Sequence, residues 1–195
     1  SSVPGEAKSF ISTNISVSLA YTGRKTILLE LDLRRPKILE SLNLPNDRLG
    51  LSDYVNGKVA KLEDVIVKSM VDPNLDIISS GTMTNNPSEL LEKKEFNELI
   101  TKLKSLYDDI IIDSPPAHLV PDALIVSPLS DIILYIIRQN FTDKKELDFI
   151  SNMQNQYQLN NLNIVFNGVN IQRKEYGYSY DNSYYTKKIS RPFKV

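Results

Sequence analysis

The chain has 195 residues, 41% of them hydrophobic and 24% charged, enough for one sizeable core and inconsistent with disorder or a coiled coil. Having zero cysteines and one histidine, it excludes a disulfide scaffold, a thiolate centre and a multi-histidine metal site, and it disfavours a catalytic triad. The net charge of −1 gives no reason to expect nucleic acid; the longest apolar run, Ile132–Ile137, is far below the roughly 20 residues of a membrane span, and no signal peptide opens the chain, so a cytosolic setting is expected.

In chain order, a glycine-containing turn runs into a helical pattern at Ser9–Tyr21, with no strand ahead of it. Strands are predicted at Thr26–Leu31, Leu75–Ser79, Asp109–Ile112, Ile132–Ile137 and Leu162–Phe166. Most are nearly continuous in Ile, Leu and Val, the signature of strands covered on both faces. Helices are predicted between them at Leu62–Ser69, Ser88–Leu106, Asp122–Leu129 and Lys144–Tyr157, the second opening on Asn86-Pro87-Ser88-Glu89, where proline and an acid suit a helix start. Strand and helix alternate throughout, so the expected fold is α/β, a three-layer parallel sheet. The domain is expected over 1–172, its first strand missing upstream, with a tail over 173–195.

Three stretches could carry chemistry. The opening Ser1-Ser2-Val3-Pro4-Gly5-Glu6-Ala7-Lys8-Ser9-Phe10 ends in Lys-Ser at a helix start. Backbone N–H groups there face an anion, a lysine neutralises phosphate oxygens and a serine hydroxyl ligates magnesium. The strict G-x-x-x-x-G-K-[ST] pattern fails at Ser2 and Ala7, so an ordinary helix start with Lys8 in solvent competes with this reading. Ile27-Leu28-Leu29-Glu30-Leu31-Asp32-Leu33-Arg34-Arg35-Pro36 is a strand ending in two acids on alternate residues, which places both carboxylates on one side of the ligand-binding end of the sheet. Asp109-Ile110-Ile111-Ile112-Asp113-Ser114-Pro115-Pro116 is an apolar strand closing on an aspartate, as a magnesium-directed carboxylate requires. Together they supply the lysine, hydroxyl and acids of magnesium-nucleotide chemistry in order along an α/β chain.

The tail has a different character. Residues 173–195 hold six basic against two acidic residues, a net of +4 beside −5 for the remainder, and carry Tyr176, Tyr178, Tyr180, Tyr184 and Tyr185 in a stretch without aliphatic anchors. It is expected to be a mobile appendage. His118 follows Pro115-Pro116 in a predicted loop and, lacking a partner histidine, reads as a surface or structural residue.

Pro4-Gly5-Glu6-Ala7-Lys8-Ser9 and Glu30-Leu31-Asp32-Leu33-Arg34-Arg35-Pro36 resemble the Walker A and A′ motifs of bacterial tyrosine kinases, and Ile111-Ile112-Asp113-Ser114-Pro115-Pro116 with Asp122-Ala123 is similar to their Walker B region. Gly50-Leu51-Ser52-Asp53, Asn74–Gly81 and Asn86–Leu91 resemble the intervening blocks, and the tyrosine cluster resembles the autophosphorylation segment. The resemblance implies a P-loop fold using ATP and Mg²⁺. Pro4 to Phe10 would then cradle the nucleotide, with Lys8 on the β/γ-phosphates and Ser9 on the metal. Asp32 and Asp113 would hold the metal or its waters, Glu30 would accept the tyrosine proton, and Arg138 and Asn167 would lie beside the base. It further implies phosphorylation of the five tyrosines in trans within a homo-oligomeric ring. A membrane-embedded polysaccharide chain-length regulator, fused or separate, would hold the ring at the inner face of the membrane, and a tyrosine phosphatase would oppose it; no nucleic acid is implied. Two residues depart from the family pattern: Ala7 stands where glycine is usual and Glu30 where aspartate is usual. They keep open a second reading, a catalytically weak nucleotide-gated oligomerisation module. A third, a partition-type positioning ATPase, is disfavoured by the tail.

Overall fold

The computed structural model describes residues 1, 3–45, 48–118 and 121–170; the five tail tyrosines lie outside the described residues. Helix α1 (Lys8–Tyr21) leads to β1 (Thr26–Glu30), the short helices α2 (Ile38–Ser41) and α3 (Leu51–Val55), then β2 (Ile66–Lys68) and β3 (Leu75–Ile78). Helices α4 (Pro87–Glu92) and α5 (Lys94–Leu106), β4 (Asp109–Asp113), α6 (Asp122–Val126), β5 (Ile133–Arg138), α7 (Glu146–Gln156) and β6 (Leu162–Asn167) complete the order.

Strands β1 and β3 are buried along their whole length, as their nearly continuous Ile/Leu runs suggest, with Asp76 buried in β3 as well. Alternate side chains of β1 serve two cores. Ile27 and Leu29 pack with Leu51, Leu91, Phe96 and Leu99 from α3, α4 and α5, whereas Leu28 packs with Ala20, Ile38 and Leu39 from α1 and α2. Three layers result, each fully buried Leu or Phe contributing about 1.5–3 kcal/mol. The buried face of α1 is Ser12, Ser16 and Ala20, small residues that let the helix lie close to β1 and β4. The hydroxyls of Ser12 and Ser16 donate back to the Ser9 and Ser12 carbonyls at 3.1 and 2.8 Å, so they cost little to bury.

Two expectations are corrected. The segment predicted as a helix at Leu62–Ser69 is a single 3₁₀ turn, Leu62–Asp64, followed by β2, which pairs antiparallel to β3. β-branched Val65, Ile66 and Val67 favour extension there, and the apolar side chains that suggested a helical stripe alternate across a strand instead. The predicted helix over 88–106 is broken at Lys93, whose ψ of 147° ends α4 and restarts α5. The strands form a four-stranded sheet, β2-β3-β1-β4, and a two-stranded sheet, β5-β6, with every pairing parallel except β2 with β3. Among the described residues no ladder joins β4 to β5.

Candidate functional site

The C-terminal ends of four strands meet one turn. Glu30 of β1 is in register with Asp113 of β4, and Arg138 of β5 with Asn167 of β6. The turn of residues 3–7, with Ser1 near it, lies across these ends. At one side the Ala117 N–H donates to the Ser1 carbonyl at 2.8 Å; at the other, Arg138 donates to the Gly5 carbonyl at 2.9 Å and Asn167 Nδ2 to the Glu6 carbonyl at 3.2 Å. Open α/β sheets bind ligands at such an edge.

Two residues in this turn are left-handed: Gly5 at φ 94° and Ala7 at φ 70°, ψ 35°. Ala7 therefore occupies a conformation that costs a Cβ-bearing residue roughly 1–2 kcal/mol, which explains why glycine is usual there. Its carbonyl accepts the Ile11 N–H at 3.0 Å and starts α1, so the free N–H groups and positive end of the helix dipole face the turn. Lys8 is half-buried and reaches back to the Val3 carbonyl, 3.5 Å from Nζ. Burial holds its ammonium below the usual lysine range against the opposing pull of Asp113, Glu6 and Asp32. Asp113, 3% exposed, has the converse balance: burial raises its carboxyl, while hydroxyls of Ser9 and Ser12 and the Lys8 charge pull it down. Lys8, Ser9, Asp32 and Asp113 thus share one electrostatic neighbourhood. A helix-start turn with a buried acid, a hydroxyl and a half-desolvated ammonium suits a triphosphate and its magnesium. Pro4 and Phe10 lie exposed at the rim.

The A′ segment is held from behind. Glu30, 1% exposed, accepts the Lys37 and Ile38 N–H groups on Oε1 at 2.5 and 2.7 Å and the Ser80 N–H on Oε2 at 3.4 Å. Burial raises its pKa despite those three donors. The structure therefore places Glu30 as a brace that closes the loop from Leu31 to Lys37 onto β1 and tethers it to the end of β3. Asp32, half-exposed, accepts the Arg35 N–H at 3.0 Å.

Other residues, named in the sequence but given no individual contact there, also have a part in this architecture. Asp122, fully buried, accepts Arg34 on one oxygen at 2.5 Å and the Ser88 hydroxyl on the other at 2.6 Å, tying the A′ turn to the starts of α4 and α6. Asp53 accepts the Gly50 and Thr82 N–H groups at 3.1 and 2.9 Å and Lys58 Nζ at 3.2 Å. Although burial raises it, these donors leave its carboxyl below the ordinary value. A Cβ on Gly50 would lie 2.4 Å from the Ser79 carbonyl, so only glycine fits. Glu6, the P-loop acid, is fully buried and accepts the Thr142 hydroxyl, a contact between residues 136 positions apart that no local motif announces. His118 lies edge-on to Phe149, ring centres 3.9 Å apart, with Nε2 3.4 Å from Glu146. It borders a cleft of about 400 Å³ that shares no residue with the nucleotide turn.

Comparison with known proteins agrees with this geometry. An AAA-domain family model matches residues 4–166. The tyrosine-protein kinase CpsD of Streptococcus agalactiae is 33% identical over 173 residues, 89% of this chain and 75% of that protein. The tyrosine-protein kinase ptk of Acinetobacter johnsonii is 36% identical over 90% of this chain, which spans only 23% of it. Among solved structures, the kinase domain of Escherichia coli tyrosine kinase ETK superposes with a TM-score of 0.80 at 30% identity, covering 91% of this chain and 68% of that one. MinD from Pyrococcus horikoshii, solved with Mg-ADP, follows at a TM-score of 0.64 and 25% identity, covering 85% of this chain and 66% of that one. A shared P-loop architecture, the A′ acids and this extent of identity place the chain in the bacterial tyrosine-kinase family.

Proposed function

We propose that the chain is an ATP- and Mg²⁺-dependent tyrosine autokinase that controls exopolysaccharide or capsule synthesis and export. The observation that carries this is the gathering of Lys8, Ser9, Asp32 and Asp113 around a left-handed helix-start turn. ATP supplies the phosphoryl group, and Mg²⁺ offsets the charge of its phosphates. Lys8 would turn from the Val3 carbonyl to the β/γ-phosphates, and Ser9, Asp32 and Asp113 would hold the metal or its waters. A tyrosine oxygen bonds to the γ-phosphorus as the bond to the β-phosphate oxygen breaks, and the phenolic proton passes to a carboxylate. Glu30 and Asp32 are the two acids at that position. The three N–H groups already on Glu30, against one on Asp32 among the described contacts, favour Asp32 as proton acceptor and Glu30 as the brace that positions it. Arg138 and Asn167 border the base side of the turn.

The acceptors are the tail tyrosines Tyr176, Tyr178, Tyr180, Tyr184 and Tyr185 of a neighbouring copy in a ring. Among the described residues no helix is long and apolar enough to cross a membrane. In this reading a membrane-embedded regulator, fused or separate, would bring the ring to the inner face of the membrane, with a phosphatase resetting it. Incubation with Mg·ATP followed by intact mass measurement should show stepwise phosphate additions, abolished by Lys8→Met and by deleting 176–185. Nucleotide binding with no mass gain would favour the weak, nucleotide-gated assembly module, the reading that the strain at Ala7 supports.

A further inference from the structure

The strained turn is secured from the second sheet. Thr142, in the loop after β5, donates its hydroxyl to Glu6 Oε1 and accepts the Arg138 N–H at 2.8 Å. Glu6 Oε2 in turn accepts the Val3 N–H at 3.3 Å. On the same side Arg138 donates to the Gly5 carbonyl, its guanidinium lies 5.4 Å from the ring centre of Phe141, and that ring sits where a Cβ on Gly5 would meet it at 3.0 Å. Glu6 immediately precedes Ala7, whose φ of 70° a Cβ-bearing residue keeps only when its surroundings over-determine it. We propose that the Thr142–Glu6 pair is a positioning device: it clamps the loop after β5 to the P-loop and thereby holds Ala7 in the left-handed conformation that opens the turn to phosphate.

This inference rests on reading the turn as the nucleotide site, and it makes a coupling prediction that a merely stabilising contact does not. Thr142→Val removes the hydroxyl at nearly constant volume, whereas Thr142→Ser keeps it. In the full chain, Thr142→Val should weaken Mg·ATP binding by about 3- to 10-fold, the worth of one ordinary hydrogen bond, and Thr142→Ser by less than about 2-fold. In an Ala7→Gly background, where glycine adopts the turn unaided, the Thr142→Val loss should shrink to less than about 2-fold. Hydrogen exchange at the amides of residues 5–8, measured without nucleotide, should quicken in Thr142→Val and return to the parental rate in Thr142→Ser. Equal losses in the parental and Ala7→Gly backgrounds, or unchanged affinity and exchange in Thr142→Val, would overturn the clamp. If the parent itself ignores Mg·ATP, the nucleotide reading fails, and the exchange comparison still decides the clamp.

Discussion

At residue scale, Ala7 is the most revealing position. Replacing it with glycine relieves a left-handed Cβ but adds freedom to the unfolded chain, so the net gain should be about 0.5–1 kcal/mol, read as a melting temperature higher by roughly 1–4 °C. Asp113 makes a complementary case. Burial raises its carboxyl above the ordinary 3.8, so the folded state holds a proton that the unfolded chain has released. Stability contributed by this group is therefore lost as pH rises from near 3.8 through the shifted value. Asp113→Asn should flatten that decline, seen as a melting temperature that changes less with pH than the parent's. It should also abolish the Mg·ATP-dependent mass gain, and a variant that kept that gain would remove Asp113 from the metal site.

At the scale of elements, the connections between strands hold the site in place. Gly50 opens α3 with its N–H on Asp53 and no space for a Cβ beneath the Ser79 carbonyl. Gly50→Ala should destabilise by about 1–3 kcal/mol, seen as a lower denaturant midpoint with an unchanged slope. Most of this framework could be read from the chain: β1 and β4 carry continuous Ile/Leu runs and β3 a nearly continuous one broken by Asp76, and Lys8-Ser9 and Asp113 stand at element boundaries that local patterning marks. What could not be read depends on distant partners. β2 follows a 3₁₀ turn, and although its β-branched residues favour extension, three residues become a strand only through pairing with β3. Glu30 stands at the position of a catalytic acid, yet its engagement by Lys37, Ile38 and Ser80 exists only once the A′ loop has folded back. Thr142 carries no motif; its role follows from β5 ending beside the P-loop. Period and composition report which face of a segment is buried, whereas such long-range hydrogen bonds are set by topology.

At the scale of the whole molecule, the unmodified tail is +4 against a body of −5, so tail and body of adjacent copies attract. Each phosphotyrosine adds about −1.5 to −2, and five would reverse the sign of the tail. Sedimentation should therefore show assemblies that loosen with added salt and dissociate on full autophosphorylation; assemblies indifferent to both would rule out charge as the control. The turn over the strand ends has a mechanical consequence as well. It is stitched to the loop after β4 at Ser1 and to the ends of β5 and β6 at Gly5 and Glu6. A nucleotide seated in it would act as a keystone. Calorimetry should then show a higher melting temperature when the cradle is filled by Mg·ATP than when it is empty.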